Sequence, residues 1–207
     1  MLTKLQKVSF KIFFGLLGFS AIVTEMVVLI ERGMFLHVRF FAYFTIQVNI
    51  LVYFTLILSA VFMAIGQGKR IESLRTAVAT YILLVGIGFA VLLSHLTNLT
   101  FSAVPWDNIV LHYIMPVAVL ADFLLDRPTR KISWRQSLRW FIYPLAYLVF
   151  TLVRGFTTGW YPYPFLNIQK EGWLDVMALS LGLLGVTLVV QTLFAKKGPV
   201  RPTKIKK

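Results

Sequence analysis

Hydrogen-bonding side chains inside an apolar run are the first sign of chemistry in this sequence. The run from Phe40 to Ile65, FFAYFTIQVNILVYFTLILSAVFMAI, carries Thr45, Gln47 and Asn49 close together in its first third. Such side chains are costly inside a membrane unless they face a partner or a cavity. Thr45 and Asn49 are four residues apart and share one face of a helix, so this face is predicted to lie against another group.

Two titratable residues lie in other apolar runs at the depth predicted for Thr45. Thr45 is about five residues inside its run, His112 is about four inside its own, and Glu25 is about five before the end of the first run. At 1.5 Å per helical residue, all three lie roughly 6 to 8 Å below the outer boundary. The sequence therefore predicts a hydroxyl, an imidazole and a carboxylate in one layer of a helical bundle.

Each of these residues also has a purely structural interpretation. A threonine in a membrane helix commonly bonds a carbonyl of its own backbone, and an intramembrane histidine can simply pair with a neighbouring helix. Glu25 can serve as the counter-ion of Arg39 or Arg154. Pro116 frees the carbonyl of His112 from helix bonding, which predicts a kink beside the imidazole.

The elements that must position these residues are predicted from hydropathy. The chain has 207 residues, of which 58% are hydrophobic, and a mean hydropathy of +0.77, well above a soluble domain. We predict an all-α polytopic membrane protein with six transmembrane helices and a single domain over residues 1–195. The predicted helices cover residues 12–30, 40–65, 77–96, 108–125, 137–153 and 173–195.

The basic residues predict the orientation of this bundle. All but four of the 21 lysines and arginines fall on one side, the exceptions being Arg32, Arg39, Arg154 and Lys170. The positive-inside rule then makes both termini cytoplasmic. Asp122 and Asp126 are predicted to pair with the basic residues at 127–139. The tail at 196–207 is predicted to be disordered or to contact anionic lipid headgroups.

Charge and cysteine content narrow the class of protein further. The net charge of +13 comes from basic residues at the ends of apolar runs, which is unlike the continuous basic stripe of a nucleic-acid-binding protein. With no cysteine, disulfides, thiolate nucleophiles and sulfur-ligated metals are excluded. No cofactor, metal or nucleic-acid partner is predicted.

Near its predicted outer surface the chain carries an aromatic loop, RGFTTGWYPYPFLNIQKEGW, which begins at Arg154. Its aromatic residues are typical of a membrane interface, and its two Tyr-Pro steps favour a rigid, extended backbone. Such a loop is predicted to cap a pocket. Arg154 and Lys170 belong to this loop, and a lipid carboxylate bound there would form a salt bridge.

Three segments resemble a known family. YFTIQVN around Thr45, LHYIMPVAVLAD around His112 and GWYPYPFLNI look like the FAR-17a-like family of androgen-induced proteins and its bacterial Pr6Pr-type membrane protein branch. The most specific element runs from Tyr163 to Leu166. The resemblance covers most of the chain in hydropathy and order, and it implies a bacterial cytoplasmic membrane protein. The predicted topology places its site toward the outer leaflet.

The animal members of that family hydrolyse fatty-acid esters of hydroxy fatty acids with a threonine nucleophile and a histidine. The resemblance implies these roles for Thr45 and His112. A threonine hydroxyl needs an adjacent base, which an imidazole supplies. Supporting roles are predicted for Glu25, which orients the histidine, and for Gln47, Asn49 and His95, which stabilise the oxyanion. Arg154, Tyr163 and Phe165 are the predicted substrate-binding residues.

Two alternative functions stay open at this point. A small transporter or lipid-binding membrane protein would have the same hydropathy and no catalysis. A haem-binding electron-transfer protein would use His95 and His112 as a pair of axial ligands near the outer ends of adjacent helices.

Overall fold

Six long helices make up the fold in a computed structural model, which describes residues 2–96, 104–129 and 132–196. The described residues form helices and the segments that connect them, and they include no strand. Each of the six helices is long and apolar enough to cross a membrane. Their bounds are α1 Lys4–Glu31, α2 Phe44–Ala64, α3 Glu72–Leu93, α4 Pro105–Leu125, α5 Trp134–Thr158 and α6 Trp173–Phe194.

The predicted number and order of the spanning helices are confirmed, and their ends differ. Helix α1 begins at Lys4 and α3 begins at Glu72, both earlier than predicted. The prediction counted only apolar residues, whereas both helices include charged residues in their first turns. Helix α5 is interrupted after Trp134–Arg139 and resumes at Ile142–Thr158. The last helix continues to Lys196, and the rest of the predicted basic tail lies outside the described residues.

Short helical turns connect the long helices at both ends of the bundle. His37–Phe40 precedes α2, and a 3-10 turn at Gly68–Arg70 precedes α3. The aromatic loop between α5 and α6 contains a 3-10 turn at Pro164–Leu166 and a short helix at Ile168–Glu171. This loop is therefore an ordered element against the bundle.

Helices α1 to α4 form the packed centre of the bundle. Val48 and Val52 of α2, Ile82 of α3 and Met115 of α4 are completely buried or nearly so. Two glycines allow close approach of the helices. A Cβ on Gly18 would lie 2.9 Å from Met115 Cε, and one on Gly86 would lie 2.9 Å from Pro116 Cβ.

Large apolar side chains cover the outside of the bundle. Exposed leucines, valines and phenylalanines occur on every long helix, including Val91, Val117, Phe156 and Leu181. A surface of this kind is stable in hydrocarbon and would aggregate in water. The chain is an integral membrane protein.

A buried ion cluster joins the helices at one end of the bundle. It consists of Lys7 and Lys11 of α1, Arg75 of α3, and Asp122 and Asp126 at the end of α4. Lys11 pairs with both aspartates, and Arg75 lies 2.7 Å from Asp122 and 2.9 Å from Asp126. Lys11 is completely buried, whereas Lys7, which lies 2.9 Å from Asp126, is partly exposed.

The ion cluster corrects the predicted partners of the two aspartates. We expected Asp122 and Asp126 to pair with the basic residues at 127–139, yet within the described part of the chain their ion pairs are formed with α1 and α3. The reason is that the cations of α1 and α3 lie inside the bundle, where no water competes for the carboxylates. Charged residues near the helix ends therefore hold α1, α3 and α4 together.

Asp126, just beyond α4, shows the electrostatic effect of this arrangement. Burial by itself would raise the pKa of the Asp126 carboxyl, but Arg75, Lys11 and Lys7 outweigh it and hold the pKa below its usual 3.8. A carboxyl with a lowered pKa in the folded state stabilises that state at pH values above its unfolded pKa. Its contribution is lost as the pH falls through the lower, folded value.

Gly155 in α5 is required by the aromatic loop. A Cβ at this position would lie 2.0 Å from Tyr161 Cε1 and within 2.4 Å of the ring atoms Cδ1 and Cζ. Replacing Gly155 by alanine is therefore expected to push Tyr161 away and to lower the free energy of unfolding by about 1–3 kcal/mol, the usual cost of overpacking. Denaturant unfolding in detergent measures this loss.

Gly182 in α6 provides the matched control for that substitution. A Cβ there meets no atom within 4 Å. Gly182→Ala is therefore expected to leave stability unchanged or to raise it slightly, because alanine has the higher helix propensity. Equal effects at the two positions would contradict the proposed clash.

Candidate functional site

At the end of the bundle opposite the ion cluster lies a cavity of about 350 Å³. We call it the polar cavity. Its wall is formed by helices α1 to α4, the segment that connects α1 to α2 and the aromatic loop, and it includes the three residues that were predicted to share one depth. The residues important for its chemistry are Glu25, Arg32, Arg39, Thr45, His112, Trp160 and Tyr163.

Thr45 lies in the first turn of α2, where backbone N–H groups have no partner within the helix. Its own N–H donates to the Tyr163 hydroxyl at 3.2 Å, and its Oγ1 lies 3.3 Å from the same hydroxyl. Thr76, Thr80, Thr187 and Thr192 instead donate to the carbonyl one turn earlier. Thr45 therefore departs from the backbone-bonded interpretation, and its side chain is held toward the aromatic loop.

His112 is buried in the wall of the same cavity. Its Nδ1 lies 3.1 Å from the carbonyl of Asn108. Because a carbonyl can only accept, Nδ1 carries the proton in this bond, and Nε2 is left with a lone pair. The Phe89 ring stacks on the imidazole with centroids 3.9 Å apart and so fixes its plane. This arrangement suits a neutral imidazole that acts as a proton acceptor.

Two π-helical turns meet beside this histidine. One is Phe89–Leu93 at the end of α3, and the other is Val110–Ile114 within α4, which contains His112. Such turns are rare and often occur at functional sites, because the extra residue redirects the side chains. Pro116 follows the second turn and packs against Gly86, so the predicted distortion near His112 takes the form of a π turn.

Asn49 and Gln47 were predicted to stabilise an oxyanion, and in the structure their side chains form hydrogen bonds within the bundle. The Asn49 amide donates to the Thr45 carbonyl at 2.9 Å and to the Leu111 carbonyl at 3.4 Å, which joins α2 to the π turn of α4. Gln47 donates to the Phe41 carbonyl and accepts from the Tyr143 hydroxyl. Asn49 therefore positions the two helices, and Gln47 fixes the start of α2.

Positive charge gathers at the mouth of the polar cavity. Arg32 and Arg39 line it, as does Glu25. The Arg39 and Arg154 guanidinium groups lie 5.4 Å and 4.6 Å from the centre of the Trp160 ring. Both distances are typical of cation–π contacts. Arg154 thus contacts the wall of the cavity through Trp160.

Two tyrosines complete this wall, Tyr43 just before α2 and Tyr163 in the aromatic loop. Their rings meet edge to face with centroids 5.7 Å apart. Burial raises the pKa of both hydroxyls, and for Tyr43 the nearby Glu25 adds to the increase while Arg39 opposes it. Both phenols are therefore neutral near pH 7 and able to donate a hydrogen bond.

A smaller cavity of about 100 Å³ lies on the other side of Thr45 and Tyr163. We call it the apolar cavity. Phe165, a predicted substrate-binding residue, lines it and stacks on Tyr163 with centroids 5.3 Å apart. Thr45 and Tyr163 line both cavities. They therefore lie at the boundary between a charged space and an apolar one.

His95 was also predicted to stabilise the oxyanion. It is exposed beyond the π turn of α3 and does not line the polar cavity. Lys170 is also exposed and lies outside that wall. Among the described residues no group of three histidine, aspartate or glutamate side chains could hold a metal ion. The polar cavity therefore draws its chemistry from a hydroxyl, an imidazole, a carboxylate and two guanidinium groups.

Sequence reasoning missed the contact between Tyr163 and Thr45 and the position of Arg32 and Arg39. No spacing links a tyrosine to a threonine that lies 118 residues before it. The sequence did contain an indication of these arginines, because only four basic residues fall on the side of the predicted bundle that has few charges. Two of those four line the cavity, and a third stacks on its wall.

The fold and this site define an integral membrane protein of six helices with a polar cavity near one end. Comparison with known protein families, with characterised proteins and with solved structures finds no match.

Proposed function

We propose that this protein is a membrane hydrolase that cleaves a lipid ester, of the kind in which a fatty acid esterifies a hydroxy fatty acid. The observation that supports it best is that Thr45 and His112 line one cavity within an apolar bundle. The Thr45 hydroxyl contacts the Tyr163 hydroxyl instead of a carbonyl of its own helix, and the hydrogen bond from Nδ1 of His112 leaves a lone pair on Nε2 of the neutral ring. A nucleophile and a base that border the same water-poor space are the minimum for acyl transfer.

The proposed reaction has two steps. Nε2 of His112 accepts the proton of the Thr45 hydroxyl as Oγ1 attacks the ester carbonyl, and the resulting imidazolium then protonates the leaving alcohol as the ester C–O bond breaks. Water next attacks the acyl-threonine with His112 as base, which releases the fatty acid and restores Thr45. This is the acid–base sequence of known hydroxyl nucleophiles.

Stabilisation of the oxyanion falls to Tyr163 and to the start of α2. The neutral phenol of Tyr163 lies within hydrogen-bond distance of Thr45, and the Thr45 N–H lies at a helix N-terminus, where the helix dipole favours negative charge. Glu25 lines the same wall, and a carboxylate in this wall favours an imidazolium there. These groups take the role that sequence reasoning gave to Gln47, Asn49 and His95.

The arginines at the cavity mouth support an acidic substrate. Arg32 and Arg39 line the polar cavity, and guanidinium groups bind carboxylates with two parallel hydrogen bonds. An ester that carries a free carboxylate would place that group here and its ester carbonyl deeper, near Thr45. Arg154 then acts by holding Trp160 in the wall.

We also propose the orientation and location predicted from the sequence. The ion cluster and both termini are cytoplasmic, where the basic side contacts anionic lipid, and the polar cavity opens toward the outer leaflet of a bacterial cytoplasmic membrane. The exposed position of His95 gives no support to a haem site shared with His112. A lipid-binding protein without catalysis is the remaining alternative.

Covalent labelling separates hydrolase from lipid-binding protein. Purified protein in detergent is treated with an alkyl fluorophosphonate, which modifies activated hydroxyl nucleophiles. Mass spectrometry is expected to find the adduct on Thr45, and Thr45→Ala is expected to abolish labelling. The matched control is Thr55→Ala, a second buried threonine of α2, which should be labelled like the unmodified protein. Labelling elsewhere, or none in the unmodified protein, contradicts the mechanism.

A further inference from the structure

The apolar cavity lies between α3, α5, α6 and the aromatic loop. Its wall is mainly aliphatic and aromatic, with Leu84 and Phe89 from α3, Leu148 from α5 and Leu184 from α6. Ser180 of α6 is almost completely buried in this wall, and its hydroxyl has no hydrogen-bond partner among the described residues. The cavity therefore lacks the charge that marks the polar cavity.

The rim of the apolar cavity faces the lipid. Leu84, Gly88, Leu148, Leu183 and Leu184 are half-buried, although they line the cavity, so part of each contacts the surroundings of the bundle. In a membrane these surroundings are acyl chains. A lipid chain can therefore enter the cavity sideways from the bilayer without passing through water, as the hydrophobic effect favours.

We infer that the apolar cavity binds the acyl chain of the ester and so sets the chain length that the protein accepts. This inference rests on the proposed function. Because Thr45 and Tyr163 border both cavities, an ester carbonyl near Thr45 Oγ1 directs one half of the molecule into each. The half with the carboxylate occupies the polar cavity beside Arg39, and the acyl chain occupies the apolar cavity.

Gly88 is a position at which a substitution can reduce the volume of the apolar cavity. It lines the wall, and a Cβ built on it meets no atom within 4 Å, so a larger side chain has room to project into the cavity without displacing the core. Gly88→Leu is expected to lower kcat/KM for a p-nitrophenyl palmitate ester by about tenfold or more. The same ratio for the butyrate ester is expected to stay within about twofold, because a short chain does not reach the filled volume.

Two matched variants distinguish loss of cavity volume from other effects. Gly185→Leu places the same side chain on α6, where a Cβ also meets no atom and which does not line the cavity, so its chain-length profile should match the unmodified protein. Ser180→Leu fills the cavity from α6 and is expected to reproduce the effect of Gly88→Leu.

The outcomes separate this inference from the proposed function. If the unmodified protein hydrolyses both esters and Gly88→Leu leaves their ratio unchanged, the acyl site is wrong and the hydrolase stands. If the unmodified protein hydrolyses neither ester, the proposed function is wrong, and the acyl site is then decided by binding.

A palmitate probe with a photoreactive diazirine at its chain end measures that binding without catalysis. Its crosslinks are expected on peptides that contain Leu84 to Leu93 and Leu183 to Leu184, and Gly88→Leu is expected to remove them. Gly185→Leu should retain them. Crosslinks that are unaffected by Gly88→Leu overturn the inference.

Discussion

Replacing His112 by alanine is expected to lower kcat for ester hydrolysis by about 10² to 10⁴-fold, the usual contribution of a positioned general base. The reason is that a threonine hydroxyl is a very weak nucleophile unless its proton is taken as it attacks. The KM should change much less, because the arginines and the apolar cavity supply the binding. Hydrolysis of a chromogenic acyl ester by purified protein in detergent measures both constants.

The chain provides its own controls for this experiment, since it has only two other histidines, His37 and His95. Both are exposed, and neither lines the polar cavity, so their alanine variants should keep full activity. The folding of His112→Ala must be verified, because the imidazole stacks on Phe89. His112→Phe keeps a flat ring beside Phe89 and should be as inactive as His112→Ala. A folded variant within a few fold of normal activity would rule out the histidine as base.

The sequence could predict which residues share the cavity, because depth in a membrane is a one-dimensional quantity. Hydropathy locates the ends of the spans, and counting at a fixed rise per residue then gives the depth of each polar side chain. Glu25, Thr45 and His112 were predicted to lie in one layer, and all three line the polar cavity. The number of helices follows from the same apolar runs. The roles of these residues stay predictions.

The rotation of each helix about its own axis and the hydrogen-bond partner of each polar side chain could not be predicted, because both depend on contacts between distant parts of the chain. The apolar runs are too uniform to show which face of a helix is buried, so the contacts of Asn49 with Leu111 and of Thr45 with Tyr163 left no periodic signal. The π turns result from local strain that hydropathy does not report. The partners of Asp122 were predicted wrongly for a related reason. Nearness in sequence favoured the basic residues that follow it, whereas the bundle brings Lys11 and Arg75 to it.

Asp122→Asn is expected to lower the free energy of unfolding by about 3–5 kcal/mol, the cost of removing one partner from a buried ion pair. The ion cluster contains three cations and two carboxylates, so it already carries one excess positive charge. Removing the charge of Asp122 leaves Lys11, Lys7 and Arg75 with Asp126 alone. Because Lys11 is completely buried, water cannot solvate its ammonium group once the Asp122 carboxylate is removed. Denaturant unfolding in detergent, followed by tryptophan fluorescence, measures the loss.

Two further variants test whether an unpaired buried charge, and not altered side-chain packing, causes the loss of stability in Asp122→Asn. Lys7→Met removes a partly exposed cation from the same cluster and should cost no more than about 1 kcal/mol, as for other exposed ion pairs. The double variant Lys11→Met, Asp122→Asn removes one charge of each sign and should recover much of the stability lost in Asp122→Asn, because no additional cation is left uncovered. If the double variant is less stable than Asp122→Asn, Lys11 stabilises the bundle through packing of its side chain, and the aspartate acts mainly as a hydrogen-bond acceptor.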